Sequence, residues 1–442
     1  MRLSKYIVML KTEDGTLLLF NCKTSKMHGI SSKYADDISK VLNGDIENAS
    51  IKVKDFLRKN QYLELEGEYS QINKRLYEQI NSRDKLRMTI LPTDACNFKC
   101  IYCCQTEPYH VMDSTGERKI INFIKQLAEE YKSIYISWFG GEPLLACEKI
   151  EAISKALIDY SKSNHKPYLA EMTTNGYLLS QDVFLRLLKC KIFFYQITID
   201  GTKEIHNKNR PHRSKNDSYE KVYDNLLQIS KIDKNRRFRI IIRINITPQI
   251  SNELEAVLSS FSRDFGADER FVFAVQPVRD WGGERIVQHK NDIVESLDYY
   301  TEKIELFNKY NLKLWDMNFF NFGNTFCDAN YEHAYIINPN GELLRCSIAE
   351  YDEKYREINH VGFIRDNGEA FINENDNTWR KINENTSCKE CCVYPLCCRA
   401  TCKLGFNISK KQEACKKQEM VEYLQLFLRN KEQRNCIDEQ LY

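Results

Sequence analysis

The chain has 442 residues, 42% of them hydrophobic and 12% aromatic, so it can bury a sizeable core and is not a disordered polymer. Its 64 basic and 62 acidic side chains leave a net charge of +2, which excludes a protein built mainly to coat nucleic acid or an anionic membrane. No apolar run is long enough to span a bilayer, and Met1 to Asp14 lacks the apolar stretch of a secretory signal, so a cytoplasmic location is expected.

The first 85 residues read as a small unit of their own. Tyr6–Leu10 and Thr16–Phe20 have strand composition and are joined by Glu13-Asp14-Gly15, a hairpin signal. Short helices are expected over Ser32–Leu42 and Ile51–Arg58, a closing strand at Tyr62–Leu65, and a polar helix over Tyr69–Ser82.

From Leu86 the pattern alternates. Strands are expected at Leu86–Leu91, Ser133–Phe139, Tyr168–Thr174, Phe193–Ile199, Phe238–Ile246 and Arg270–Gln276. Amphipathic helices fall between them; Ile120, Phe123, Ile124, Leu127 and Tyr131 share one helical face. Six βα units imply parallel strands with right-handed crossovers, an open sheet or partial barrel with its chemistry at the carboxyl ends of the strands. After about residue 320 the rhythm stops in a loop-rich tail with a final helix near Met420–Leu428, a segment expected to bury little apolar surface and to need metal ligation.

Cysteine is the anomaly. There are 17, an odd number in a long chain, which argues against a secreted disulfide scaffold and for metal or redox chemistry. Four lie between Cys96 and Cys104 and seven between Cys388 and Cys415. Cys96, Cys100 and Cys103 form a C-x3-C-x2-C run directly after the first core strand. Three thiolates on one loop can ligate three irons of a cubane and leave the fourth open to a small molecule, whereas structural zinc normally closes with four ligands.

This run resembles the signature of radical SAM enzymes. Further segments at successive strand ends carry the resemblance: Gly140-Gly141-Glu142-Pro143, Thr174-Asn175-Gly176, and Thr198-Ile199-Asp200-Gly201 followed by His206 and Arg210. The last is similar to a stretch of the subgroup that modifies peptides and proteins, with Thr198 in place of the usual Ser. The resemblance implies that S-adenosylmethionine (SAM) meets Gly140, Gly141 and Glu142, with Glu142 taking its ammonium group, and that Thr198 and either Arg210 or Arg243 meet its ribose or carboxylate. His206 on its own reads as a structural histidine.

The tail is similar to the SPASM domain. Cys327 is followed after thirteen residues by Gly341 and after four more by Cys346; then come Cys388, Cys391, Cys397, Cys402 and Cys415. The four-residue interval between Cys397 and Cys402 departs from the family's three, which Cys398 would satisfy, so Cys397 and Cys398 stand as alternatives. The resemblance implies two auxiliary [4Fe–4S] clusters, one on Cys388, Cys391, Cys397 and Cys415, the other on Cys327, Cys346 and Cys402 with an open iron or Asp328 as fourth ligand. Zinc knuckles are the structural alternative. Cys22, Cys147, Cys190 and Cys436 stand apart and read as inert thiols.

The expected architecture is thus α/β: a winged-helix-like peptide-recognition unit with its linker (1–85), a partial (β/α)6 TIM-type barrel of radical SAM type (86–315), and a SPASM-like iron–sulfur domain (316–442). The implied function is a maturase. It would generate a 5′-deoxyadenosyl radical and oxidise a ribosomally made precursor peptide to a thioether or carbon–carbon crosslink. The precursor's leader segment would dock by strand addition, and a flavodoxin or ferredoxin would supply electrons. The alternatives are an anaerobic sulfatase-type maturase that makes formylglycine and a non-catalytic iron–sulfur or zinc redox sensor. The N-terminal unit shows no concentrated basic face, which argues against nucleic acid.

Overall fold

Two helical layers sandwich the N-terminal sheet, and strand alternation explains how. The computed structural model describes residues 1–105, 110–278, 298–315, 322–382, 386–409, 415, 417–433 and 439–441. Strands β1 (Ile7–Lys11) and β2 (Leu17–Asn21) pair antiparallel across a turn in which Gly15 takes a positive φ, and β2 pairs antiparallel with β3 (Lys26–Ile30). Ile7, Leu17, Leu19 and Ile30 face α1 (Ala35–Leu42) and α2 (Ile51–Lys59), packing on Ile38, Val41, Val53 and Leu57. The alternate residues Tyr6, Val8, Leu18 and Phe20 face α3 (Glu68–Ile80) and the C-terminal part of the chain, meeting Leu76, Leu396, Leu424 and Leu428. A strand covered on both faces has no polar side to show, which is why β2 reads Leu-Leu-Leu-Phe.

Two expectations are corrected here. β3 was not foreseen, because Lys26-Met27-His28-Gly29-Ile30 lacks the β-branched alternation of a strand. The closing strand at Tyr62–Leu65 reduces to a single bridge between Leu3 and Leu63; Tyr62 instead turns inward, its hydroxyl donating to the Leu19 carbonyl at 2.9 Å.

The core follows the expected rhythm. Strands β4 (Leu86–Ile90), β5 (Ile134–Trp138), β6 (Tyr168–Thr174), β7 (Ile192–Thr198), β8 (Arg239–Ile246) and β9 (Phe271–Pro277) lie side by side and parallel in that order. Between them run α4 (Ser114–Ala128), α5 (Cys147–Ser163), α6 (Gln181–Lys189), α7 (Lys203–Asn209), α8 (Ser218–Ser230) and α9 (Pro248–Phe265). Local chemistry sets the starts: Asp113 caps α4 by accepting from the Gly116 amide at 2.6 Å, and Thr247 caps α9 with Pro248 at the first turn. Leu86, Met88, Ile90, Ile134, Ile136, Trp138, Ala170 and Met172 pack outward on Ile120, Phe123, Ile124, Ile153 and Leu157. The intervening residues face the concave side.

The tail departs from expectation. It adds β10 (Tyr335–Ile337), parallel to β4, then β11 (Glu342–Leu344), β12 (His360–Ile364) and β13 (Ala370–Ile372) as an antiparallel extension, giving one ten-stranded sheet. These strands are three to five residues long, too short for a periodicity signal. The tail also buries more apolar surface than expected: Val393, Tyr394, Leu396, Ala400 and, on the final helix α10 (Lys417–Gln433), Leu424 and Leu428 join the core beneath the N-terminal sheet. No helix among the described residues is long and apolar enough to cross a membrane.

Candidate active site

Strands β4 to β8 deliver their motifs to the same end of the sheet, and backbone and side-chain contacts lock the motifs together. Cys96, Cys100 and Cys103 lie on the loop after β4, Cys100 buried and the other two half-buried. Gly140 and Gly141, after β5, press on the stem of that loop: a Cβ would come within 2.2 Å of the Thr93 carbonyl oxygen at the first and of the Ala95 oxygen at the second. The Gly141 and Glu142 amides donate to Thr93 and Ala95 carbonyls at 3.2 and 2.8 Å. Bare glycine is therefore required for the two loops to touch.

Glu142 is fully buried, and its carboxylate accepts from the Thr174 hydroxyl (2.6 Å) and the amides of Asn175 (2.7 Å) and Leu144 (3.1 Å). Burial pushes its pKa up against these bonds. Here Glu142 ties the β5 loop to the β6 loop. Asn175 continues inward, its Nδ2 donating to Asn97 Oδ1 at 2.7 Å and lying 3.9 Å from Cys96 Sγ.

A buried polar network occupies the β7 and β8 ends. The Tyr102 hydroxyl, one residue before Cys103, donates to Asp200 and accepts from Arg210 Nη1 at 2.7 Å and Asn245 Nδ2 at 3.0 Å. The Asn245 amide donates to Asp200 Oδ1 at 2.8 Å, and Arg243 Nε donates to Asn245 Oδ1 at 2.7 Å. Arg210 and Arg243, left as alternatives by the sequence, thus sit on one network, and Thr198 lies opposite Arg243 in register. His206 is buried beside it with Nδ1 accepting from the Asp200 amide at 3.1 Å; burial and then Arg210 push its pKa well below the ordinary value, so it is neutral.

This end of the sheet also carries unspent polar groups. Arg210 Nε and Asn97 Nδ2 are buried without a partner. Burial raises Cys96 to about 11 and Cys100 to about 12, with Arg210 opposing the rise at both. A cation, orphaned donors and three close thiols fit a thiolate-held cluster and an anionic ligand.

The tail thiols fall into two sets. Cys327, Cys346 and Cys402 form one chain of electrostatic neighbours; Cys388, Cys391 and Cys397 form another. Backbone amides point at their sulfurs: those of Ala329 and Lys403 at Cys327, of Ile348 and Ala349 at Cys346, of Val393 at Cys391, of Arg399 at Cys397 and of Gly405 at Cys402. Such amide nests stabilise thiolates and fit iron–sulfur ligation. Arg345 fixes Cys346 from beneath: fully buried, it donates to Asp376 at 2.7 Å and to the carbonyls of Tyr331, Glu332 and Ala334. Asn359 Oδ1 meanwhile accepts the Cys346 amide at 2.8 Å.

Cys398 differs from Cys397. It has a left-handed backbone, is fully buried in the apolar core and donates its thiol to the Pro395 carbonyl at 3.6 Å. Cys415 is exposed. Of the isolated thiols, Cys22 and Cys190 are buried and raised by burial, Cys147 is half-buried beside Arg186, and Cys436 lies outside the described residues. Among the described residues no group of His, Cys, Asp or Glu is already drawn into a metal-binding arrangement.

One feature of the site is marked by no motif. The concave face of the sheet is charged: Tyr135 donates to Glu171 at 2.5 Å, Lys85 sits 4.9 Å from the Tyr135 ring, Arg87 sits 5.2 Å from the Tyr331 ring, and Asp328 faces Arg87, Glu171 and Lys85. The signal was present as polar residues at alternate positions of parallel strands, Arg87, Thr89, Tyr135, Ser137, Glu171 and Thr173, where a strand covered on both faces would be apolar throughout.

Residues 90–259 match the model of the Radical SAM superfamily, so the chain carries a radical SAM domain and is an enzyme whose cofactors are a [4Fe–4S] cluster and SAM. It is 22% identical over 356 residues to a cysteine-type anaerobic sulfatase-maturating enzyme of Clostridium novyi (strain NT), covering 72% of this chain and 88% of that protein. To a GTP 3′,8-cyclase of Aliarcobacter butzleri (strain RM4018) it is 29% identical over 169 residues, 37% of this chain and 46% of that one. The solved structure of native anSMEcpe with bound AdoMet and Kp18Cys peptide shares the fold, with a TM-score of 0.59 and 19% identity over 80% of this chain and 100% of that one. The radical SAM match sets aside the reading as a non-catalytic redox sensor.

Proposed function

We propose that this enzyme is a radical SAM maturase of SPASM type that oxidatively crosslinks a ribosomally made precursor peptide. Cys96, Cys100 and Cys103 would hold the SAM cluster. Gly140, Gly141, Glu142, Thr198, Arg210 and Arg243 would form the SAM cradle, and Cys327, Cys346, Cys402 and Cys388, Cys391, Cys397, Cys415 the two auxiliary clusters. With these in place the chemistry supplied is abstraction of a hydrogen atom from an unactivated carbon. The residues of this chain do the rest: the Tyr102 network holds the cysteine loop, and the charged concave face orients a polar substrate. A flavodoxin or ferredoxin would deliver electrons.

One observation carries the choice of substrate. All of the anSMEcpe chain is covered by 80% of this one, which leaves about a fifth over. The N-terminal unit (1–85) is of that size and has its own sheet and helices, a peptide-recognition unit joined to the core (86–315) and the iron–sulfur domain (316–442). The relative in Clostridium novyi favours the second reading, formylglycine formation in a sulfatase-type protein.

The test is mass spectrometry of small cysteine-containing peptides encoded beside the gene and co-expressed with it without oxygen. Loss of two hydrogens per crosslink, abolished by Cys96→Ala, is expected. SAM cleavage with every peptide unchanged, and formylglycine in a sulfatase fragment, would replace the first reading by the second.

A further inference from the structure

The tail holds one buried cation without a counter-charge. Lys403 follows Cys402 directly, just before the helical turn Leu404–Ser409, and is fully buried. Its Nζ donates to the Lys381 carbonyl at 2.7 Å, just beyond the helix Asn375–Arg380. That carbonyl also accepts from Asn407 Nδ2 at 2.8 Å, so Lys403 is not needed to satisfy it. Among the described residues no carboxylate lies within ion-pair distance of Lys403. A cation taken out of water and given only a neutral carbonyl is poorly compensated, and an anion beside it would offset the cost.

The surroundings point to Cys327. The Lys403 amide is aimed at Cys327 Sγ, and the Cys327 thiol is the acid that acts on the ammonium. Cys327 is fixed against the same stretch of chain: its amide donates to the Ala400 carbonyl at 2.7 Å, and Asn330 Nδ2 donates to the carbonyls of Cys327 and Ala400, each at 2.7 Å. Arg399 is a second cation acting on Lys403, and its Nε is buried without a partner. Two cations that repel each other beside Cys327 make this corner of the tail positive.

We infer that Lys403 is the buried counter-charge of the auxiliary cluster on Cys327, Cys346 and Cys402, and that it raises that cluster's reduction potential. This rests on the proposed two-cluster reading of the tail. A four-iron cluster on thiolates is anionic, and taking up one electron adds a further negative charge. A fixed cation in a dry site therefore stabilises the reduced form more than the oxidised one. Lys417, which acts on Cys391 in the other set, is exposed, and water screens it. The two clusters are thus tuned unequally.

The experiment is an anaerobic redox titration, followed by electron paramagnetic resonance, of the reconstituted full chain carrying Cys96→Ala, Cys100→Ala and Cys103→Ala, which removes the SAM cluster's signal. Lys403→Met and Lys403→Gln are compared in that background; both remove the charge, and the second keeps a donor for the Lys381 carbonyl. One midpoint, the one whose signal Cys346→Ala abolishes, should fall in both variants. The reduced-to-oxidised ratio at a given applied potential should drop at least tenfold, about 59 mV for one electron. The other midpoint should stay in place. Both midpoints unmoved, or both moved alike, would overturn the inference. If the neutral variants lose iron instead, Lys403→Arg decides: iron kept with the charge supports the inference, and iron lost again overturns it. Iron analysis judges the underlying reading separately. About eight irons per chain are expected in the background; about four, with none lost on Cys346→Ala, would sink the two-cluster reading and the inference with it. The full iron content with unmoved midpoints would sink the inference alone.

Discussion

The cysteine loop after β4 and the cysteine-rich tail offer the same ligand atoms on opposite supports. The first is braced by side chains from beyond three strands: Asn175 after β6 bonds Asn97, while Asp200 and Arg210 after β7 and Asn245 on β8 converge on Tyr102. The tail thiols lean instead on backbone amides, in short helical turns and loops such as residues 386–390 and 394–397. This difference predicts a loop that the barrel holds in place by itself and a tail whose order depends more on what its thiols bind. Tyr351, five residues beyond Cys346, lies near the first loop: burial raises its pKa, and the charges of Cys104, Asp94 and Cys103 add to the rise.

The largest effect that separates the two supports lies at adjacent tail residues. Cys397→Ala removes a thiol held by the Arg399 amide and faced by Cys388 and Cys391. We expect loss of about one cluster, roughly four irons per chain. Cys398→Ala empties a buried apolar position instead. It should keep its iron and lose about 1–2 kcal/mol of stability. Iron and sulfide analysis of both variants decides; equal iron loss would mean that Cys398 ligates and that the tail's apolar core is not what positions it.

Tyr102→Phe tests the other support. It deletes one hydroxyl but leaves Asp200, Arg210 and Asn245 buried with bonds unmade. The expected cost is about 2–4 kcal/mol, with weaker SAM binding and intact auxiliary clusters. Urea denaturation and SAM titration measure the two parts, and a variant as stable as wild type would show that iron, not the network, shapes the loop.

Much of this contrast was legible in the sequence. The six core strands were visible because β-branched and aromatic runs alternate with long helical faces, and the first cysteine run was visible because its spacing is local. β10 to β13 were not, because strands of three to five residues are specified by their neighbours and not by their own pattern. The bracing partners were invisible for a different reason: Tyr102 meets Asp200 and Asn245 across 98 and 143 residues. The pairing of the tail's sheet with β4, and of residues 439–441 with β3, is likewise long-range.

The smallest effect probes the amino end of the barrel strands, opposite the end that carries the cysteine loop. Asp268 accepts from Arg270 at 2.7 and 2.9 Å and from Lys234 at 2.7 Å, while Arg270 also donates to the carbonyls of Ser230, Ile232 and Asp233, fastening the end of α8 to the start of β9. Burial alone would push the Asp268 carboxyl up; the bonds from Arg270 and Lys234 outweigh it and hold the pKa below the ordinary value. A depressed folded-state pKa contributes stability that is present above the unfolded value, about 3.9, and is lost as pH falls through the folded one. Asp268→Asn should therefore cost about 1–3 kcal/mol at pH 7, and the deficit should shrink below about pH 4 as the wild-type carboxyl protonates. If the barrel is shaped without iron, that deficit is the same in the iron-free and the reconstituted protein. A deficit that grows when the iron is removed would mean that the barrel, like the tail, takes part of its order from the clusters.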